Sequence, residues 1–159
     1  MKTAAILLIV LVLAAVCGIG YLYLSARLDV RFVSCEAVDA VAQSDTFDTL
    51  KSRISASSFA GTLFSRDEVG TADQYQFLTY TVRISNRAFL TAEVIELRIT
   101  PMQGDVLQAG DEVMHSLAGG WDLDLSAMIL TARDMHSVRE ATLSYYFWGI
   151  PFTTKLTLG

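Results

Sequence analysis

Cysteine, proline and histidine are nearly missing from this chain: its 159 residues hold two of each. With Cys17 inside an apolar run and Cys35 alone outside it, no disulfide within a domain can form. Neither His115 nor His136 stands in an H-x-x-x-H or C-x-x-C frame, so no motif gathers the several ligands that a metal centre needs. There is no G-x-S-x-G elbow and no glycine cluster beside a serine to make an oxyanion loop. No catalytic residue, cofactor or metal is expected.

Basic residues are also scarce, 12 against 17 acidic ones. Setting aside Lys2 and Arg27 leaves 10 against 17, a net charge of about −7 from residue 28 onward. Such a surface repels a phosphate backbone, which excludes nucleic acid as an expected partner and argues against lying flat on anionic lipid.

The stretch Thr3 to Ala26 lacks charge altogether, and from Ala4 to Leu24 it is almost entirely Ala, Ile, Leu and Val. A helix of that length reaches roughly 30 Å, the thickness of a bilayer's hydrocarbon core. A cleaved signal peptide has a shorter apolar region ending in small residues. Here the candidate cuts after Ser25 or Ala26 put Tyr23 or Leu24 three residues back, so an uncleaved signal anchor over residues 1–26 is expected. Leu13-Ala14-Ala15-Val16-Cys17 is close to a lipobox but has Val16 before the cysteine, and Cys17 reads as a small hydrophobe in the span. Tyr21 and Tyr23 fit the aromatic belt on the exit side. Flanking positive charge is nearly balanced between Lys2 and the pair Arg27 and Arg31; a long acidic domain after a first span favours the N-terminus inside. Ala14 and Gly18 form a small-xxx-small pair through which two spans would pack as a homodimer.

Residues 27–159 are enough for one domain. Leu28, Val30 and Phe32 share one apolar phase and Val33, Cys35 and Ala37 the other, predicting a strand with a bulge near its middle. Ser44 and Asp45 are candidate N-caps of a short helix with Phe47, Leu50 and Ile54 on one face, closed by Ser55 to Ser58. Strands are then expected over Phe59–Phe64, around Tyr80, Val82 and Ile84, around Ile95, Leu97 and Ile99, around Trp121, Leu123 and Leu125, and over Ala141–Trp148, followed by a Gly149-Ile150-Pro151 turn into Phe152 to Leu158. Arg66 to Asp73 and Met102 to Gly110 read as loops, with His115 on a loop before Gly119-Gly120. One-sided strands separated by turns predict an all-β ectodomain, an antiparallel immunoglobulin- or fibronectin-like sandwich with one short helix.

Asp105, Asp111, Glu112, Asp122 and Asp124 suggest calcium by their density, but their spacing is not that of an EF-hand, and alternation puts Asp122 and Asp124 on a solvent face. In Tyr145-Tyr146-Phe147-Trp148, alternation sends Tyr145 and Phe147 inward and leaves Tyr146 and Trp148 as candidate partner-binding residues.

The layout resembles membrane-anchored late embryogenesis abundant group 2 proteins, the water-stress and hypersensitive-response domain. The likeness rests on Tyr80-Thr81-Val82-Arg83-Ile84-Ser85-Asn86, on the strand Ile95 to Ile99, and on Tyr146-Phe147-Trp148-Gly149-Ile150-Pro151-Phe152, with Arg87 standing where that family has Pro after Asn. It implies a fibronectin-like sandwich without catalytic residues. Type IV pilins share the layout, but their apolar helix carries a Glu near its start, and residues 3 to 26 hold no acid. The expected function is a membrane-tethered, non-catalytic binding or assembly module of the cell envelope, bound to the bilayer through residues 4–24 and to an envelope protein. The alternatives are a tethered hydrolase using His115 or His136, or a purely structural envelope protein.

Overall fold

The structure, a computed structural model, describes residues 2–65, 68–109 and 115–159. Helix α1 (Lys2–Ser25) is followed after two residues by strand β1 (Leu28–Asp39). Then come a 3-10 turn (Ala40–Gln43), α2 (Ser44–Ser55), β2 (Thr62–Leu63), a second 3-10 turn (Ala72–Gln74), β3 (Tyr75–Asn86), β4 (Ala92–Ile99) and β5 (Asp105–Ala109). The chain closes with β6 (His115–Leu117), β7 (Asp122–Ala132), β8 (Arg139–Phe147) and β9 (Ile150–Leu158). The strands make two sheets, in orders β1-β3-β7-β5-β2 and β6-β4-β8-β9, and every pairing is antiparallel. α1 is long and apolar enough to cross a membrane or to act as a signal sequence, and none of it is buried in the protein.

The main core lies between the sheets. Leu78, Tyr80, Val82 and Ile84 of β3 and Leu125, Ala127 and Ile129 of β7 share one cluster with Ile95, Leu97 and Ile99 of β4 and Ala141, Leu143, Tyr145 and Phe147 of β8. Each large side chain among them stabilises the fold by about 1.5–3 kcal/mol through burial. A second cluster covers the other face of the five-stranded sheet, where the cross-strand row Phe77, Leu130 and Leu107 meets Phe47 and Leu50 of α2.

Buried polar side chains tie the sheets together. At the end away from α1, Arg139 of β8 and Asp105 of β5 form a pair with no side-chain exposure, its two bonds 2.8 and 3.1 Å long. Asp105 also accepts from the Met102 amide, and the Arg139 guanidinium donates to the His136 and Val138 carbonyls, so both charges are satisfied. Midway, the Gln108 side chain accepts from the Ile99 amide and donates to the Leu97 carbonyl, occupying the β4 edge like a short strand.

Several expectations need correction. The segment Met102 to Gly110 contains β5, buried along its whole length; its Asp105 and Gln108 give a polar pattern because they bond inside the protein. Only Thr62 and Leu63 of Phe59–Phe64 pair as a strand, at the sheet edge. Ser44 is already helical, because the 3-10 turn runs straight into α2; Gln43 takes the cap position without a side-chain bond. His115 opens the short β6 rather than lying in a loop. The last turn is Trp148-Gly149, so Ile150 and Pro151 belong to β9. The β1 bulge does fall near the middle, between Phe32 and Ser34.

Candidate functional site at the helix-proximal rim

The predicted site residues separate. Arg66, Asp67 and residues 110–114, including Asp111 and Glu112, lie outside the described residues. Asp105 is the buried partner of Arg139, whereas Asp122 pairs with Arg87 at 3.5 Å and Asp124 with Arg83 at 2.7 Å. The hydrogen bond from Arg83 holds the Asp124 carboxyl below its ordinary range. Among the described residues no three His, Cys, Asp or Glu side chains come together as metal ligands. His136 is exposed in the turn before β8, at the end away from α1. Cys35 packs against the main core, and burial pushes its thiol upward.

Tyr146 and Trp148 stand near the other end, where α1 leaves the domain. Tyr146 lies opposite Glu93 and Pro151 in the four-stranded sheet and is 37% exposed. Trp148 is 64% exposed at the tip of the β8–β9 hairpin. Its φ of 51° and the 74° of Gly149 make a two-residue turn with both central residues left-handed, the twist that suits a tight hairpin. Asn and Gly bear that conformation easily and a bulky residue does not, at a cost of about 1–3 kcal/mol. Val94, also left-handed at 51°, forms the β4 bulge near the same end.

Two further aromatics share this rim. Phe89, in the β3–β4 loop, is 91% exposed, and Trp121, just ahead of β7, is 68% exposed. Asn86 positions both. Its side-chain amide donates to the Leu90 and Leu117 carbonyls and its side-chain carbonyl accepts from the Ala88 amide. Its backbone amide donates to the Trp121 carbonyl and its own carbonyl accepts from Gly120. Every polar group of this buried residue is therefore spent on the two loops and the end of β6. Gly119 lets them approach, since a Cβ there would sit 2.5 Å from the Ala88 carbonyl oxygen.

The rim is continuous with α1. Tyr21 and Leu22 line a groove with Arg87, Phe89 and Gly119, and Ile19, Leu22 and Tyr23 line an adjoining apolar one with Leu90, Trp148 and Ile150. Ala26 and Leu28 belong to the main core, and the Leu28 amide donates to the Tyr145 hydroxyl at 3.3 Å. Sequence reasoning singled out Tyr146 and Trp148 but missed Phe89, and it placed Trp121 with the inward phase of β7. Trp121 precedes the first ladder residue, Asp122, where alternation no longer decides which way a side chain faces.

No protein-family model matches the chain, and no curated protein does. Among solved structures, a crystal structure from Bordetella pertussis provisionally assigned as an ApaA protein is 17% identical and covers 84% of this chain and 95% of its own, with a TM-score of 0.40. A likeness that low carries no argument about fold or function.

Proposed function

We propose that the chain is a single-pass membrane protein in which residues 1–26 remain as a signal anchor and residues 27–159 form an extracytoplasmic immunoglobulin- or fibronectin-like sandwich. The domain works by binding, as an assembly or accessory component of the cell envelope, in the manner implied by its resemblance to the group 2 late embryogenesis abundant proteins. The observation that carries this reading is the junction: Ala26 is 2% exposed and sits in the domain core one residue from the strand that follows. A cut beside it would sever the chain inside packed structure, which supports retention of α1. The partner-facing candidates are Tyr146 and Trp148, and the aromatic rim to which Trp148 belongs supports a role in contact rather than chemistry.

Fractionation of cells expressing the full chain with a C-terminal tag tests the reading. Expected are a carbonate-resistant membrane band, an intact mass that includes residues 1–26, and a tag digested by protease added from outside. A soluble product starting near residue 27 would overturn the anchor. Loss of phenotype in His115→Ala or His136→Ala but not in Trp148→Ala would overturn the binding role in favour of the hydrolase.

A further inference from the structure

We infer that the rim formed by Phe89, Trp121, Trp148 and Ile150 seats in the headgroup region of the same bilayer that α1 crosses, so that loop tips as well as the helix hold the domain on lipid. The inference rests on α1 staying in the membrane, as proposed above.

Depth is the first argument. Leu90, Trp148 and Ile150 reach back along the helix to Ile19, six residues before its end at Ser25 and therefore about 9 Å down its axis. Phe89 reaches Tyr21 and Leu22 in the same way. A helix of 24 residues is about 36 Å long, exceeding the roughly 30 Å hydrocarbon layer by about the length of its last turn. Loop tips level with Ile19 to Tyr23 then cannot avoid the interface.

Chemistry is the second. Tryptophan and phenylalanine are the side chains that settle where apolar chain meets wet headgroup, and a loop tip has no core to offer them. Trp148 occupies a backbone conformation that disfavours it and gains little burial in the protein in return, since 64% of its surface stays open. Contact with lipid supplies what the fold withholds. Beside Phe89 and Trp121, Arg87 and Asp122 pair with each other, and the aromatic contacts need no anionic lipid, so seating is expected to change little with salt.

The two rim tryptophans are the only ones in the chain, so intrinsic emission reports on the rim alone. The full chain is reconstituted into phosphatidylcholine vesicles with and without bromine on the upper acyl carbons, and carbonate washing establishes separately whether α1 is inserted. Brominated lipid is expected to quench emission severalfold, with little quenching by aqueous acrylamide and no change at high salt. Trp121→Phe and Trp148→Phe divide the signal between the loops, each retaining a quenched residual. Phe89→Trp in the doubly substituted chain supplies a third position, and Trp121→Tyr or Trp148→Tyr replaces a phenylalanine variant that folds poorly. Inserted protein whose emission ignores bromine and responds to acrylamide would overturn the rim seating while leaving the anchor intact. Emission shielded from both quenchers would also overturn it, assigning the rim to a protein partner or a second copy. Protein stripped by carbonate would overturn the anchor and, with it, this inference.

Discussion

The ring of Tyr23, in the last turn of α1, lies 5.6 Å from that of Phe152 in β9. Phe152 in turn stacks on Tyr145 at 5.7 Å, and Tyr145 takes the amide of Leu28, the first residue of β1. These contacts close a ring around the two-residue junction, so helix and domain are one packed unit rather than a bead on a string.

Asn86 holds both aromatic loops, and its removal should be felt in stability and at the rim. Asn86→Ala strands the Ala88 amide and the Leu90 and Leu117 carbonyls. A loss of about 2–4 kcal/mol is expected in urea unfolding of the full chain in micelles. Trp121 emission should shift in the folded variant; unchanged emission and stability would mean the loops are held by something else.

The Asp105–Arg139 pair predicts a strong asymmetry between single and double replacements. Asp105→Asn or Arg139→Met alone leaves an uncompensated group at a site with no side-chain exposure, costing about 3–5 kcal/mol. Asp105→Leu with Arg139→Met should recover most of that loss. A double variant as unstable as the worse single one would show that the pair's bonds to Met102, His136 and Val138 matter more than the charges.

Alkaline conditions should destabilise the domain through the buried Tyr80 phenol and the half-buried Cys35 thiol. Burial raises the Tyr80 phenol above its ordinary 10.0 and the Cys35 thiol above its ordinary 9.0. Below those values both groups are neutral folded and unfolded, and their contribution is fully present. As pH rises through them the unfolded chain ionises first, and stability falls until the raised folded values are passed. Tyr80→Phe gives up the bond to the Ser137 carbonyl, lowering stability at neutral pH, but should flatten the alkaline slope. An unaltered slope would point to other groups.

Trp148 is predicted to be a residue whose replacement makes the isolated protein more stable. Trp148→Asn suits the left-handed turn and should add about 1 kcal/mol to unfolding stability in micelles. A fall in micelle stability would show that the indole packs usefully where it stands.

Legibility followed the simplicity of each residue's surroundings. Tyr80, Val82 and Ile84 face one core and Thr81 and Arg83 face outward, so alternation located β3. The bulge in β1 was visible because a change of apolar phase has one geometric meaning, an extra residue. β5 was hidden because α2 covers one of its faces and the opposite sheet the other, leaving no alternation, while Asp105 and Gln108 supplied the polarity usual of a loop. Half of the rim was found in the Tyr146 and Trp148 run. Phe89 was invisible, since a lone aromatic after Asn-Arg-Ala carries no period, and its exposure follows from Asn86 anchoring the loop beneath it.

Because Ala26 is embedded in the core, any lean of the helix must be shared by the sheets. A span longer than the local bilayer tilts to hide its excess. With β1 and β3 each 12 residues and about 40 Å long, a tilt of ~10° would swing the Arg139 end sideways by ~7 Å. If α1 spans a bilayer as proposed, bilayer thickness at one end of this molecule sets the position of the surface at the other, a lever with its fulcrum at the lipid interface.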